Sequence, residues 1–317
     1  MKTLEQFVAG FQAQDKNALA RAITLVESTL PEHKALAQSL LTALKTTKTT
    51  KRIGISGTPG VGKSTFIESF GTMLTSQGLR VAVLAVDPTS QVSGGSILGD
   101  KTRMEILARD PLAFIRPSPS GGTLGGVARR TREAILLCEA FGFDVILVET
   151  VGVGQSETAV ARLVDCFLML LQPGAGDDLQ GIKRGILELV DMVVVTKADG
   201  GQKNAAAQAC HHYQQALHIL RQESWHPPVL ACSAVEKTGL PEIWDAAGKY
   251  YAHLGTGLEP KRAGQRLHWL EEAISEALQE WFAHKVSSAE LERVKKLVQN
   301  GTLPVAQAVE NLLGSLK

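Results

Sequence analysis

The chain has 317 residues, 44% apolar and 21% charged, which fits a globular protein of one large domain with appendages, or of two domains, that needs no disulfides for stability. Its net charge of +1 gives no electrostatic ground for nucleic acid or an anionic membrane as partner. Cys138, Cys166, Cys210 and Cys232 lie far apart without a Cys-x-x-Cys pair, so they read as reduced packing thiols and not as a zinc ribbon or redox dithiol. The longest apolar runs have strand length, far short of the roughly 20 residues of a membrane span. The N-terminal MKTLEQFVAGFQAQD has neither a continuous apolar core nor a cleavage site, so no secretory signal is expected and cytoplasm is the expected compartment.

In chain order, Phe7, Phe11, Leu19, Ile23 and Val26 recur at helical spacing, and Pro31 followed by Leu36, Leu40 and Leu44 predicts a further helix. The polar run Lys45–Lys51 reads as a linker into a first core strand. Beyond it, strands are predicted at Arg52–Ser56, Arg80–Val86, Ala113–Arg116, Val145–Glu149, Cys166–Leu171, Met192–Thr196 and Val229–Cys232. Several are unbroken Val/Ile/Leu runs, the pattern of strands buried on both faces. Helical stretches such as Ser64–Ser76, Ala128–Ala140 and Asn204–Leu220 separate them. The expected fold is α/β, a mostly parallel sheet flanked by helices. From Leu258 onward only helices are predicted. Leu267, Leu270, Ile274, Leu278 and Phe282 form an apolar stripe, Ser287 or Ser288 caps the next helix, Asn300-Gly301 ends it, and Leu303–Leu313 is the last. The expected organisation is an N-terminal helical extension at 1–50, the α/β domain at 51–256 and a C-terminal helical arm at 257–317.

Gly57-Thr58-Pro59-Gly60-Val61-Gly62-Lys63-Ser64-Thr65 satisfies G-x-x-x-x-G-K-[ST] in full, after a predicted strand and at the start of a predicted helix. The glycines let backbone N–H groups wrap a phosphate, and the helix N-terminus adds partial positive charge. Lys63 is expected to neutralise the β- and γ-phosphates and the Ser64 hydroxyl to bind Mg²⁺. Because Mg²⁺ takes few protein oxygens, carboxylates at strand ends are the other ligand candidates. Glu149 ends VILVE where a Walker B acid belongs, Asp87 ends VAVLAVD, and Asp100 is the best-placed acid of the long loop 87–103. Lys101 and Arg103 of that loop are phosphate contacts or surface charges. Gly152 lets an N–H approach the γ-phosphate, in a polar, flexible stretch, Val153–Glu157, that suits a switch. Gln155 is a weaker candidate for positioning water.

Thr196-Lys197-Ala198-Asp199 follows a buried strand, where GTPases carry Asn/Thr-Lys-x-Asp. The Asp199 carboxylate would accept from guanine N1–H and its exocyclic amine, a pairing adenine cannot supply, while the Lys197 stem packs along the base. Thr stands where Asn is commonest, which weakens the motif without removing the acid. Ser233-Ala234-Val235 follows the strand VLAC, and its backbone amides are candidates for capping guanine O6.

With SGTPGVGKST, AVDPTSQVSGGSILGDKTRM, FIRPSPSGGTLGG, VETVGVGQSE, QPGAGDDLQGIK and TKAD, nearly the whole chain resembles the methylmalonyl-CoA mutase-associated GTPases of the MeaB/ArgK type, to which the mitochondrial MMAA proteins also belong. The resemblance implies a P-loop GTPase that binds GTP and GDP and partners an adenosylcobalamin-dependent acyl-CoA mutase, gating its cofactor loading and protecting it. It also implies a homodimer with the C-terminal helices contributing, Mg²⁺ at Ser64, Asp87, Asp100 and Glu149, and a third switch at Gln172–Lys183. Two other readings compete. An ATP-dependent kinase should lack the guanine-reading Asp. A metallochaperone GTPase would want a His/Cys cluster, and His211-His212 reads instead as a solvated helical face.

Overall fold

Seven short aliphatic runs become the strands of one sheet. They are β1 (Lys51–Gly57), β2 (Val81–Val86), β3 (Ala113–Arg116), β4 (Val145–Thr150), β5 (Cys166–Leu171), β6 (Met192–Val195) and β7 (Val229–Ala231). All pair in parallel in the order β3-β2-β4-β1-β5-β6-β7. The structure, a computed structural model, describes residues 2–28, 30–46, 48–86, 104–117, 124–150, 156–174, 184–220 and 224–314. Each predicted strand is present, with ends differing by a residue or two.

The sheet is covered on both faces, which is why β4 and β5 are buried along their whole length. On one face Ile53, Ile55, Val83, Leu147, Leu168 and Val194 pack with Phe66, Ile67, Phe70 and Leu74 of α4 (Lys63–Ser76). On the other, Gly54 leaves room for Val160 and Val164, which a Cβ would meet at 3.0 and 2.9 Å.

The N-terminal segment forms α1 (Leu4–Gln12), α2 (Lys16–Glu27) and α3 (Pro31–Ala43). Thr3 and Gln6 form a capping box on α1, Asp15 caps α2, and Pro31 opens α3 where its missing N–H has no role. Phe7, Phe11, Leu19, Ile23, Val26 and Leu40 are buried. Phe11 meets Phe141 edge-on at 5.4 Å, so this segment packs onto α6 (Leu124–Phe141). The remaining helices of the α/β part are α5 (Glu105–Arg109), α7 (Ser156–Ala161), α8 (Arg184–Leu187), α9 (Lys203–Leu220) and α10 (Leu240–Leu254).

At the N-terminal edge of the sheet lies a buried ion cluster that local sequence does not announce. Asp165, fully buried, accepts from the Arg52 N–H (3.0 Å) and from Arg262 Nε and Nη2 (2.9 and 2.7 Å). Arg52 in turn grips buried Glu139 at 2.7 and 2.8 Å. Cys138, Cys166 and Cys232 are buried, and burial pushes the Cys232 thiol up to about 12, as fits packing thiols.

The chain divides into two compact units, Met1–Arg262 and Ala263–Lys317. The helix α11 (Leu258–Lys285) runs through the boundary, followed by α12 (Ser288–Gln299) and α13 (Val305–Gly314). The second unit has its own small core of Val286, Val294, Ala308 and Leu312. Ser287 caps α12, and Gly301 follows its end with a left-handed φ of 71°. Leu267, Leu270, Ile274 and Leu278 are each at least half exposed. Among the described residues no helix is long and apolar enough to cross a membrane.

Candidate nucleotide site

The C-terminal edges of the central strands converge at the phosphate loop, at the switch in strand order around β1 where α/β sheets bind ligands. Gly57 closes β1 so tightly against β5 that a Cβ would lie 2.6 Å from the Leu170 carbonyl oxygen. Gly62 begins α4 in the left-handed region, φ 96°, which favours glycine. Lys63 Nζ spans the loop mouth and donates to the carbonyls of Gly57 (2.7 Å) and Thr58 (3.2 Å). Burial lowers the Lys63 ammonium from its ordinary value, and the nearby Glu149 and Glu157 carboxylates partly offset that. Pro59, Gly60 and Thr65 are exposed around the loop, with Val61 buried beneath it.

Glu149 near the end of β4 is buried, and the Ser64 hydroxyl lies 3.5 Å from its Oε1. Two hard oxygen donors thus meet beside the phosphate lysine, an arrangement that fits a magnesium ion which keeps several of its waters. Thr150 Oγ1 donates to Ser56 Oγ at 2.9 Å, locking β4 to β1 just below. Asp87, Asp100, Lys101, Arg103, Gly152 and Gln155 lie outside the described residues, as does all of Gln172–Lys183 beyond Gly174. Glu157 differs from its reading as part of a polar, flexible stretch. It is buried in the first turn of α7, where its charge acts on Lys63.

The base-reading segment is brought against the same loop. Thr196 is buried, and its hydroxyl lies 2.7 Å from the Val61 carbonyl and 3.1 Å from that of Leu171. Lys197, held at φ 56°, donates to the Gly60 carbonyl (2.7 Å) and to Gln172 Oε1 (3.2 Å). Its stem therefore lies along one wall of the site. The Ser233 hydroxyl donates to Asp199 Oδ2 at 2.5 Å and accepts the Glu236 N–H at 3.0 Å. Ser233 and Thr238 form a two-bond bridge, so residues 233–238 make a closed loop. Val235 is 78% exposed at its tip. His211 and His212 are exposed on α9, where His211 Nε2 pairs with Gln215. Ser69 and Thr238 also touch this machinery, but no motif marks them. Only the fold brings them to it.

A phosphate cradle joined through Thr196 and Lys197 to an aspartate-bearing base segment defines the class of this protein as a P-loop GTPase. The chain belongs to the methylmalonyl Co-A mutase-associated GTPase family, MeaB, whose model matches residues 19–287. It is 50% identical over 307 residues to the GTPase ArgK of Escherichia coli K12, covering 95% of this chain and 93% of that one. It is 47% identical to the mouse mitochondrial methylmalonic aciduria type A homolog, covering 99% of this chain and 80% of the relative. A crystal structure titled LAO/AO transport system kinase superposes with a TM-score of 0.77 at 42% identity, covering 98% of this chain and 96% of that one.

Proposed function

We propose that this GTPase is the chaperone of an adenosylcobalamin-dependent acyl-CoA mutase of the methylmalonyl-CoA mutase type, gating cofactor loading and protecting the mutase. The family name and the name of the mouse relative support that partner. In this reading the protein works in the cytoplasm as a homodimer. Residues 1–50 extend the GTPase domain of 51–256, and the arm at 257–317 carries the dimer contact. GTP and GDP occupy the loop Gly57–Thr65, with Gly152 approaching the γ-phosphate. The base is read by Lys197, Asp199 and the amides of Ala234 and Val235. The Ser233 N–H, a candidate in the sequence, donates instead to the Thr238 carbonyl at 3.0 Å, and Ser233 serves through its hydroxyl on Asp199.

One observation carries the guanine reading: Ser233 holds Asp199 Oδ2 at 2.5 Å, fixing the carboxylate next to a base wall built by Lys197 on Gly60. A carboxylate held this way suits the two donors on the guanine edge and leaves adenine unmatched. In hydrolysis water attacks the γ-phosphate, and Lys63 and the loop amides stabilise the charge that develops on the phosphate oxygens. Ser64 and Glu149, with Asp87 and Asp100, would hold Mg²⁺, which when bound would supply neutralisation of phosphate charge. Lys63 Nζ, held across the loop mouth by the Gly57 and Thr58 carbonyls, would turn its donors to phosphate oxygens when nucleotide binds.

The test is calorimetry with Mg²⁺, comparing GDP and ADP on the wild type and on Asp199→Ala. Tight GDP binding, weak ADP binding and loss of that preference in the variant are expected. Equal ADP binding overturns the guanine reading and puts an ATP-dependent activity first. The chaperone role is tested by transfer of adenosylcobalamin to purified mutase. Loading should depend on GTP hydrolysis by this protein and fail with Lys63→Ala; loading that is indifferent to both overturns the role.

A further inference from the structure

The helix that begins at the phosphate loop also holds the base loop. Six residues after Lys63, the half-buried Ser69 on α4 donates its hydroxyl to the Ala234 carbonyl at 2.8 Å. Ser69 lies outside every motif of the site, and its partner is 165 positions away. A serine inside a helix commonly turns its hydroxyl back on its own helix, as Thr72 does to the Glu68 carbonyl at 2.7 Å. Ser69 instead reaches out to another element.

Peptide planarity gives that bond a consequence. In a trans peptide the N–H points opposite to the preceding C=O, so fixing one oxygen fixes the next amide. The Thr238 N–H holds the Ser233 carbonyl at 3.1 Å, and this orients the Ala234 N–H. Ser69 holds the Ala234 carbonyl, and this orients the Val235 N–H away from α4. The loop tip at Val235 is exposed, and the Ser69 bond restrains the Ala234–Val235 peptide from the α4 side. In the guanine reading, Asp199 and these two amides divide the base between them: the acid accepts from N1–H and the 2-amino group, and the amides donate to the O6 acceptor.

We propose that Ser69 is a positioning residue for nucleotide recognition, aiming the Val235 amide at a purine O6 acceptor and tying the base loop to the helix that carries the phosphate lysine. The inference rests on the guanine reading above. It makes this GTPase sensitive at Ser69 to any base with a 6-oxo group, irrespective of the 2-amino group.

The experiment is calorimetric titration of the full chain with GDP, IDP and ADP in the wild type, Ser69→Ala, Ser69→Thr and Asp199→Ala. IDP keeps O6 and N1–H but lacks the 2-amino group. Ser69→Ala is expected to weaken GDP and IDP in parallel, by roughly three- to tenfold, the size of one neutral hydrogen bond. ADP binding and the GDP/IDP ratio stay unchanged, and Ser69→Thr, which keeps the hydroxyl, restores both 6-oxo nucleotides. A loss shared equally by ADP, or no loss at all, overturns the proposal, because a merely structural bond would not discriminate by base. Asp199→Ala separates the premise from the inference. It should collapse the GDP/IDP ratio, and a ratio that survives removes the guanine reading and the Ser69 proposal with it.

Discussion

The Thr196 hydroxyl lies 2.7 Å from the Val61 carbonyl, so a residue of the base-reading segment directly secures the floor of the phosphate loop. Asn, the commoner residue at this position, has a longer side chain. Thr suffices here because Thr196 follows directly on β6, next to β5, with its own N–H on the Leu171 carbonyl at 2.7 Å. Thr196→Val keeps the shape and removes the hydroxyl. It should destabilise the fold by about 1–2 kcal/mol, the cost of leaving a buried carbonyl partly unsatisfied. GDP affinity should fall roughly three- to tenfold as the loop loosens. Urea unfolding and GDP titration check this, and a variant with unchanged affinity would show that Val61 is held without Thr196.

The phosphate loop and the sheet were legible in the sequence because their signals are local. Gly57–Ser64 lies in one contiguous stretch, and an unbroken run such as Cys166–Leu171 has few alternatives to a strand buried on both faces. The pairings that make the site work are nonlocal. Ser69 meets Ala234, Lys197 meets Gly60, and Arg262 meets Asp165 across 165, 137 and 97 positions of chain, so only the folded arrangement pairs them. Glu157 was hidden for another reason. Its neighbours Gly154, Gln155 and Ser156 have a loop-like composition, while the fold buries its carboxylate near Lys63. Asp87, Asp100 and Gly152 lie outside the described residues, so their placement rests on the motifs alone.

The Asp165 cluster should govern stability without touching catalysis. Asp165 precedes β5 at the edge of the sheet opposite the phosphate loop. Asp165→Ala leaves the Arg262 guanidinium buried with its main partner gone, and such breakage costs about 3–5 kcal/mol. Asp165→Ala combined with Arg262→Met should recover much of that loss, because no uncompensated charge remains there. Chemical denaturation of the single and double variants gives the comparison. A double variant as unstable as the single one would mean that hydrogen bonds to the Arg52 N–H and Tyr251 matter more than charge pairing.

Asp144 carries a small acid-sensitive contribution. Burial pushes its carboxyl up, but the Lys48 ammonium at 2.5 Å, the Arg80 N–H at 2.8 Å and the charges of both residues outweigh this and hold it below the usual carboxylate range. A carboxyl depressed on folding stabilises the native state above its unfolded pKa of about 4 and loses that contribution as pH falls through the folded value. The Lys48–Asp144 pair is partly exposed, so its worth should stay below about 1 kcal/mol. Asp144→Asn should therefore be slightly less stable than wild type near neutral pH, and the difference should shrink as pH falls below the unfolded carboxyl value and through the depressed folded one. A difference that is constant across that range in urea unfolding would assign the effect to lost hydrogen bonding instead of charge.

The exposed stripe on α11 is the surface that the proposed homodimer would bury. Leu267, Leu270, Ile274 and Leu278 recur at three- and four-residue intervals, and Trp281 continues the row, each about half exposed or more. Such a row is the seam of a helix that packs on another helix, whereas scattered exposed leucines need no partner. Leu270→Glu with Leu278→Glu places two like charges on that seam and, in a homodimer, repeats them on the partner. Sedimentation should change from dimer to monomer, while GDP affinity stays within about twofold, since neither side chain belongs to the phosphate or base machinery. Unfolding stability of the isolated chain should also change little, because substitutions at exposed positions are usually near neutral. A wild type that sediments as a monomer, or a variant that remains dimeric, would remove this stripe as the dimer contact.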